Sequence, residues 1–143
     1  MGKGVIPDDH PLAASAARTL ALQQADVVFL MGARFNWIFH FGLPPRFSPD
    51  VKVIQLDISP EEIGHNKPAE VALVGDGKAI MSQMNQALDG RQWFYPKDTP
   101  WRTALSEKIS SNVETLKAQV NDDTAPAGPV SYTHLTLPTT SSV

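Results

Sequence analysis

Three short apolar runs constrain this chain more than anything else in it: VVFLM at 27–31, VKVIQLD at 51–57 and VALVGD at 71–76. The first two are continuous rather than alternating, which suits strands covered on both faces in a parallel sheet rather than strands with one wet face. Each run ends on a residue that breaks it, Gly32, Asp57 or Asp76. Helical spacing appears between and around the runs. In PDDHPLAASAARTLALQQ, residues 7–24, Leu12, Ala13, Ala16, Ala17, Leu20 and Ala21 recur at three and four residues, so one helix is expected there. SPEEIG at 59–64 places Ser59 to cap, Pro60 at a first helical position and Glu62 to close a capping box. GKAIMSQMNQALDG marks a helical face with Ile80, Met81, Met84, Ala87 and Leu88. A long helix from about Pro100 to Val120 is expected from Trp101, Leu105, Ile109, Val113, Leu116 and Val120. It would pack back on the sheet or lead towards a next domain. Alternating helices and strands of this kind predict an α/β open parallel sheet with right-handed crossovers.

Three strands are few for such a sheet, and the expected architecture is an incomplete doubly wound, Rossmann-like one belonging to a fragment. Residues 1–97 would form the core, 98–125 a helix and linker towards a missing domain, and 129–143 a disordered tail. Val130 to Thr139, VSYTHLTLPT, reads as the conceptual translation of a transposon-type sequencing adapter and is not expected to take part in the fold. Composition narrows the function classes. A net charge of −3 with no lysine or arginine block argues against nucleic acid as a partner. Apolar runs long enough for a membrane span or a secretory core are absent, and the expected compartment is the cytoplasm. With no cysteine, thiolate metal sites and cysteine nucleophiles are excluded.

In an open α/β sheet, ligands sit beyond the carboxyl ends of the strands. Gly32, Asp57 and Asp76 stand at those three ends. Gly32 would let backbone N–H groups approach an anion, and Arg34, two residues on, would fork onto a phosphate. Asp57 suits ribose hydroxyls and Asp76 an adenine amino group, so the set describes an adenine nucleotide site. Taken singly, each has a plainer reading as a turn glycine, a solvated arginine or a helix cap. No G-x-G-x-x-G follows the first strand. The four histidines lack metal-ligand spacing, and no G-x-S-x-G nucleophile elbow occurs. Gly75-Asp76-Gly77 opens like the magnesium motif of thiamine diphosphate enzymes, but Asn85 is too near and Asn112 too far to complete it. Phe35, Trp37, Phe39, Phe41 and Phe47 read as hydrophobic cover for the loop that follows the first strand, with contact to a partner domain as the sharper alternative.

MGKGVIPDDHPL, ADVVFLMGARFNW, HFGLPPRFSPDVKVIQLDISPEEIG and VGDGKA, in this order, resemble the central domain of thiamine diphosphate-dependent enzymes of the 2-hydroxyacyl-CoA lyase and oxalyl-CoA decarboxylase group. The resemblance covers about residues 1–125. It implies a parent subunit of three domains, in which the first supplies the activating glutamate and the last holds diphosphate and Mg2+, assembled as a homo-oligomer, a tetramer, and acting on an acyl-CoA substrate. Cleavage would fall on the carbon–carbon bond beside the thioester carbonyl. Carried over by position, Arg34 would meet the phosphates of an ADP-type nucleotide, Asp57 and Ile58 the ribose and adenine surroundings, and Asp76 with Gly77 the adenine pocket. Gly77 departs from the isoleucine frequent in the family, and Arg18 would approach coenzyme A or stand solvated on its helix. A free-standing nucleotide-binding regulatory module and a structural spacer without ligand are the alternatives.

Overall fold

The computed structural model describes residues 5–92 and 94–121, so the expected tail at 129–143 lies outside the described residues. Strands β1 (Val27–Met31), β2 (Lys52–Asp57) and β3 (Val71–Val74) form a parallel sheet in the order β1-β2-β3. Val28 lies opposite Val53, Leu30 opposite Gln55, and Leu56 opposite both Met31 and Leu73. Side chains alternate between faces along a strand. Val53 and Gln55 therefore share one face with Val28 and Leu30, and Leu56 shares the other with Met31 and Leu73.

The helices are α1 (Arg18–Gln24), α2 (Gly77–Leu88) and α3 (Pro100–Val120). The helix expected over 7–24 exists only in its second half, after a 3-10 turn at Ser15–Ala17. His10 precedes Pro11, and the proline ring disfavours helical torsions at the residue before it. The segment makes successive turns instead, with the His10 N–H donating to the Pro7 carbonyl and the Ala13 N–H to the His10 carbonyl. α3 matches its expected bounds because Thr99 caps it, accepting from the Arg102 N–H, and Pro100 occupies the first turn. It packs against the Ser15–Ala17 turn and α1, where Asn112 donates to the Ala16 carbonyl and Leu105 is buried.

The crossover from β1 to β2 contains no α-helix, only 3-10 turns within Trp37–Gly42. Aromatic packing replaces the missing helix. Phe35 and Phe47 are buried edge to face, ring centroids 5.5 Å apart, over Leu30, Val51 and Val53. Gly42 has φ +70°, and a Cβ there would come within 3.0 Å of the Phe35 ring, so the turn can close over that ring only with glycine. Arg18 ties α1 to the crossover: its guanidinium donates to the Ile38 carbonyl and lies 4.9 Å from the centre of the Phe39 ring. Arg18 stays exposed on its helix while making these contacts. The five aromatics divide, with Phe35 and Phe47 in the core, Phe39 half-buried, and Trp37 and Phe41 exposed.

A candidate ligand cleft at the strand ends

The ends of all three strands open into one cleft of about 500 Å³, lined by Met31, Gly32, Leu56, Asp57, Ile58, Gly75, Asp76, Gly77 and Met81. Five of the six residues singled out from the sequence, Gly32, Asp57, Ile58, Asp76 and Gly77, meet there. Its volume is of the size that small-molecule sites have. Gly75 and Met81 complete the wall, together with the side chains of Met31 and Leu56. Gly75 carries a signal that sequence reading passed over, since it closes the third run in the same way that Gly32 closes the first.

Individual groups do different work from that expected. The Gly32 N–H is not available to an anion, because it donates to the Leu56 carbonyl at 2.8 Å and extends the sheet ladder. Glycine is required there by conformation, φ being +56°, and a Cβ would meet nothing within 4 Å, so the space above it is open. The Gly75 N–H is likewise spent on the Asp57 carbonyl at 3.0 Å. Asp57 accepts the Ser59 N–H on Oδ1 at 3.0 Å, which turns the chain out of β2 and leaves Oδ2 unbonded among the described residues. Asp76 accepts the Ala79 N–H on Oδ1 at 2.9 Å and so caps α2. Both aspartates thus carry the plain reading: one oxygen of each holds backbone, and the other makes no bond among the described residues. Ser59 makes no capping bond, and Glu62 does not close a capping box.

Arg34 does not line this cleft. Its Nη1 pairs with Glu62 Oε1 at 2.8 Å, and the two side chains border an adjoining depression of about 540 Å³ with Phe35, Asn36, Trp37 and His65 among its walls. Sequence reading also missed Gln55, the one fully buried polar residue among the described residues. Its Nε2 donates to the Glu62 carbonyl at 2.9 Å and reaches the Ala33 carbonyl at 3.5 Å, while its Oε1 accepts the Gly64 N–H at 2.9 Å. A polar amide inside VKVIQLD was the available signal. Buried amides persist where every bond is made, and this one pins the two loops that leave β1 and β2.

No group of three or more His, Cys, Asp or Glu residues among those described could hold a metal ion. Asp76, the acid of Gly75-Asp76-Gly77, is engaged as a helix cap. No helix among the described residues is long and apolar enough to cross a membrane.

The fold and cleft define an open parallel α/β domain whose ligand site would lie at the carboxyl ends of its strands. Residues 1–84 match the thiamine pyrophosphate enzyme central domain, and the chain belongs to that family. Over 126 residues, 88% of this chain, it is 49% identical to 2-hydroxyacyl-CoA lyase 1 of Homo sapiens. It is 44% identical to 2-hydroxyacyl-CoA lyase of Oryza sativa subsp. japonica. Oxalyl-CoA decarboxylase of Escherichia coli (strain K12) shares 40% identity over the same length. In each case the match spans only 22% of the relative's own length.

Proposed function

We propose that this chain is the central domain of a thiamine diphosphate-dependent enzyme that cleaves the carbon–carbon bond of a 2-hydroxyacyl-CoA or decarboxylates oxalyl-CoA, and that its strand-end cleft holds an ADP-type nucleotide. The observation that carries the nucleotide reading is the convergence of Gly32, Asp57, Ile58, Asp76 and Gly77 on one cleft. Lyase relatives at 39–49% identity and a decarboxylase at 40% support both reactions as the proposal states them. Thiamine diphosphate, when bound to the whole enzyme, supplies the carbanion-stabilising chemistry. Its site and that of Mg2+ would lie on other domains of a homo-oligomeric, cytoplasmic protein, with residues 1–97 as the nucleotide-binding core and 98–125 as the link onward.

The division of labour in the cleft follows from its atoms. Asp57 Oδ2 accepts from ribose hydroxyls, Ile58 and Met81 offer apolar cover to a base, and Asp76 Oδ2 accepts from an amino group. Arg34 reaches the phosphates from beside the cleft. Calorimetric titration of the 143-residue chain with ADP and adenosine tests this. Asp57→Ala should weaken both ligands alike, by about 1.5–3 kcal/mol for a charged hydrogen bond. Arg34→Ala should weaken ADP far more than adenosine. Unchanged ADP affinity in Asp57→Ala would leave that residue a turn former only.

A further inference from the structure

We propose that Glu62 is a competing counter-ion for Arg34, holding the guanidinium beside the cleft so that a nucleotide diphosphate must displace a carboxylate to reach it. The inference rests on the nucleotide reading above and adds to it the residue that sets how strongly phosphate is favoured. Arg34 lies two residues beyond Gly32, and Glu62 four beyond Ile58, and both Gly32 and Ile58 line the cleft. The side chains of Arg34 and Glu62 border the adjoining depression instead, joined at 2.8 Å.

The fold fixes the ends of this pair while leaving its side chains free to change partners. Gln55 holds the Glu62 carbonyl at 2.9 Å and approaches that of Ala33, the residue next to Arg34, at 3.5 Å. Both loops are therefore anchored through main chain to one buried amide. The ionic groups are not: 63% of the Arg34 side chain and 26% of the Glu62 side chain are exposed. With its cation that open to water, the pair adds little to folding. Glu62 also makes no capping box with Ser59, so no cap holds its carboxylate in that turn. What remains is a carboxylate held on Nη1, one of the donors that a phosphate would take. A phosphate forking onto the guanidinium would need that same donor, so the two acceptors compete for it. The diphosphate carries more charge and more acceptor oxygens, and it wins when the adenosine moiety delivers it to the cleft.

Glu62→Gln removes the competing charge and leaves in place the main-chain carbonyl that Gln55 holds. Wild type, Glu62→Gln, Arg34→Ala and the double variant of the 143-residue chain are titrated with ADP and with adenosine by calorimetry. Glu62→Gln should tighten ADP about two- to fivefold, the strength of an exposed ion pair, and leave adenosine unchanged. In the Arg34→Ala background the same substitution should leave ADP unchanged. If Glu62→Gln tightens ADP equally with and without Arg34, the effect is a general field and the counter-ion role is overturned. If ADP and adenosine bind wild type and Glu62→Gln alters neither, the counter-ion role falls and the nucleotide site stands. If neither ligand binds any of the four proteins, the nucleotide site falls and takes this inference with it.

Discussion

On one side of the sheet, Leu30 and Val53 lie sealed with Phe35 and Phe47, and Gln55 is buried on the same face, all of them supplied by β1, β2 and the crossover between them. On the other side, Leu56 is buried at the point where α2 begins, yet α2 buries none of its own residues, and Val27, Met31, Val71 and Leu88 stay exposed. The closed layer is made by chain that is near in sequence and aromatic. The open layer has apolar surface of the kind that a partner or further chain covers. It is also the layer that carries the cleft, since Met31, Leu56 and Met81 are in its wall. Folding strength and the cleft are thus separated across β2: one layer holds the sheet together, and the other presents its strand ends.

The largest expected effect breaks or upholds that contrast directly. Phe47→Ala should lower stability by about 3–5 kcal/mol, the usual range for emptying a buried aromatic site, while Leu88→Ala should stay within about 0.5 kcal/mol. Urea denaturation of the two variants, compared at constant slope, measures both. Equal losses would mean that α2 is as much part of the core as the crossover.

Gln55→Leu comes next. It fits the volume but leaves the Gly64 N–H and the Glu62 carbonyl without their partner, and a buried unsatisfied group costs about 1–3 kcal/mol. Loss of hydrogen-exchange protection at the Gly64 amide should accompany the fall in stability. Retained protection would show that Gly64 finds another acceptor and that Gln55 is not what joins the two loops.

Sequence alone resolves β1 and β2 because their apolar runs are unbroken and their stops are sharp. It resolves α3 because Pro100 stands at its start and the apolar spacing continues to Val120. The α1 region is misjudged because alanine spacing says nothing of where a helix begins, and the proline at 11 holds the preceding residue out of helical torsions. Which of five aromatics enter the core is not legible either, since the crossover has no period and burial depends on where its turns fall in space. The cleft was legible in outline, because strand ends in a parallel sheet must converge. The partners of its charged groups were not: Arg34 meets an acid 28 positions away, beyond the crossover and β2.

Asp76→Ala sharpens the comparison at smaller scale. α2 lacks buried residues to hold it, so its N-terminal cap contributes a larger share of its stability than a cap on a packed helix would. A loss of about 1 kcal/mol is expected, with helical signal at α2 falling while the amides of β2 keep their exchange protection. Should the β2 amides open as well, the open layer is holding the closed one in place.

The smallest stability effect belongs to Arg34, and its smallness is informative. Its pair with Glu62 spans the loops after β1 and β2, the same two loops that Gln55 joins from beneath. The two links differ in what surrounds them. Gln55 is 0% exposed, so water cannot replace its bonds when they are lost. The Arg34 side chain is 63% exposed, so water and salt screen the pair and solvate either group when it is broken. Arg34→Ala should therefore change stability by less than about 0.5 kcal/mol, and that small change should vanish in high salt. Thermal melts of both variants at low and high ionic strength check the ordering. If Arg34→Ala proves as damaging as Gln55→Leu, the arginine is a structural tie rather than a group free to exchange its carboxylate for a phosphate.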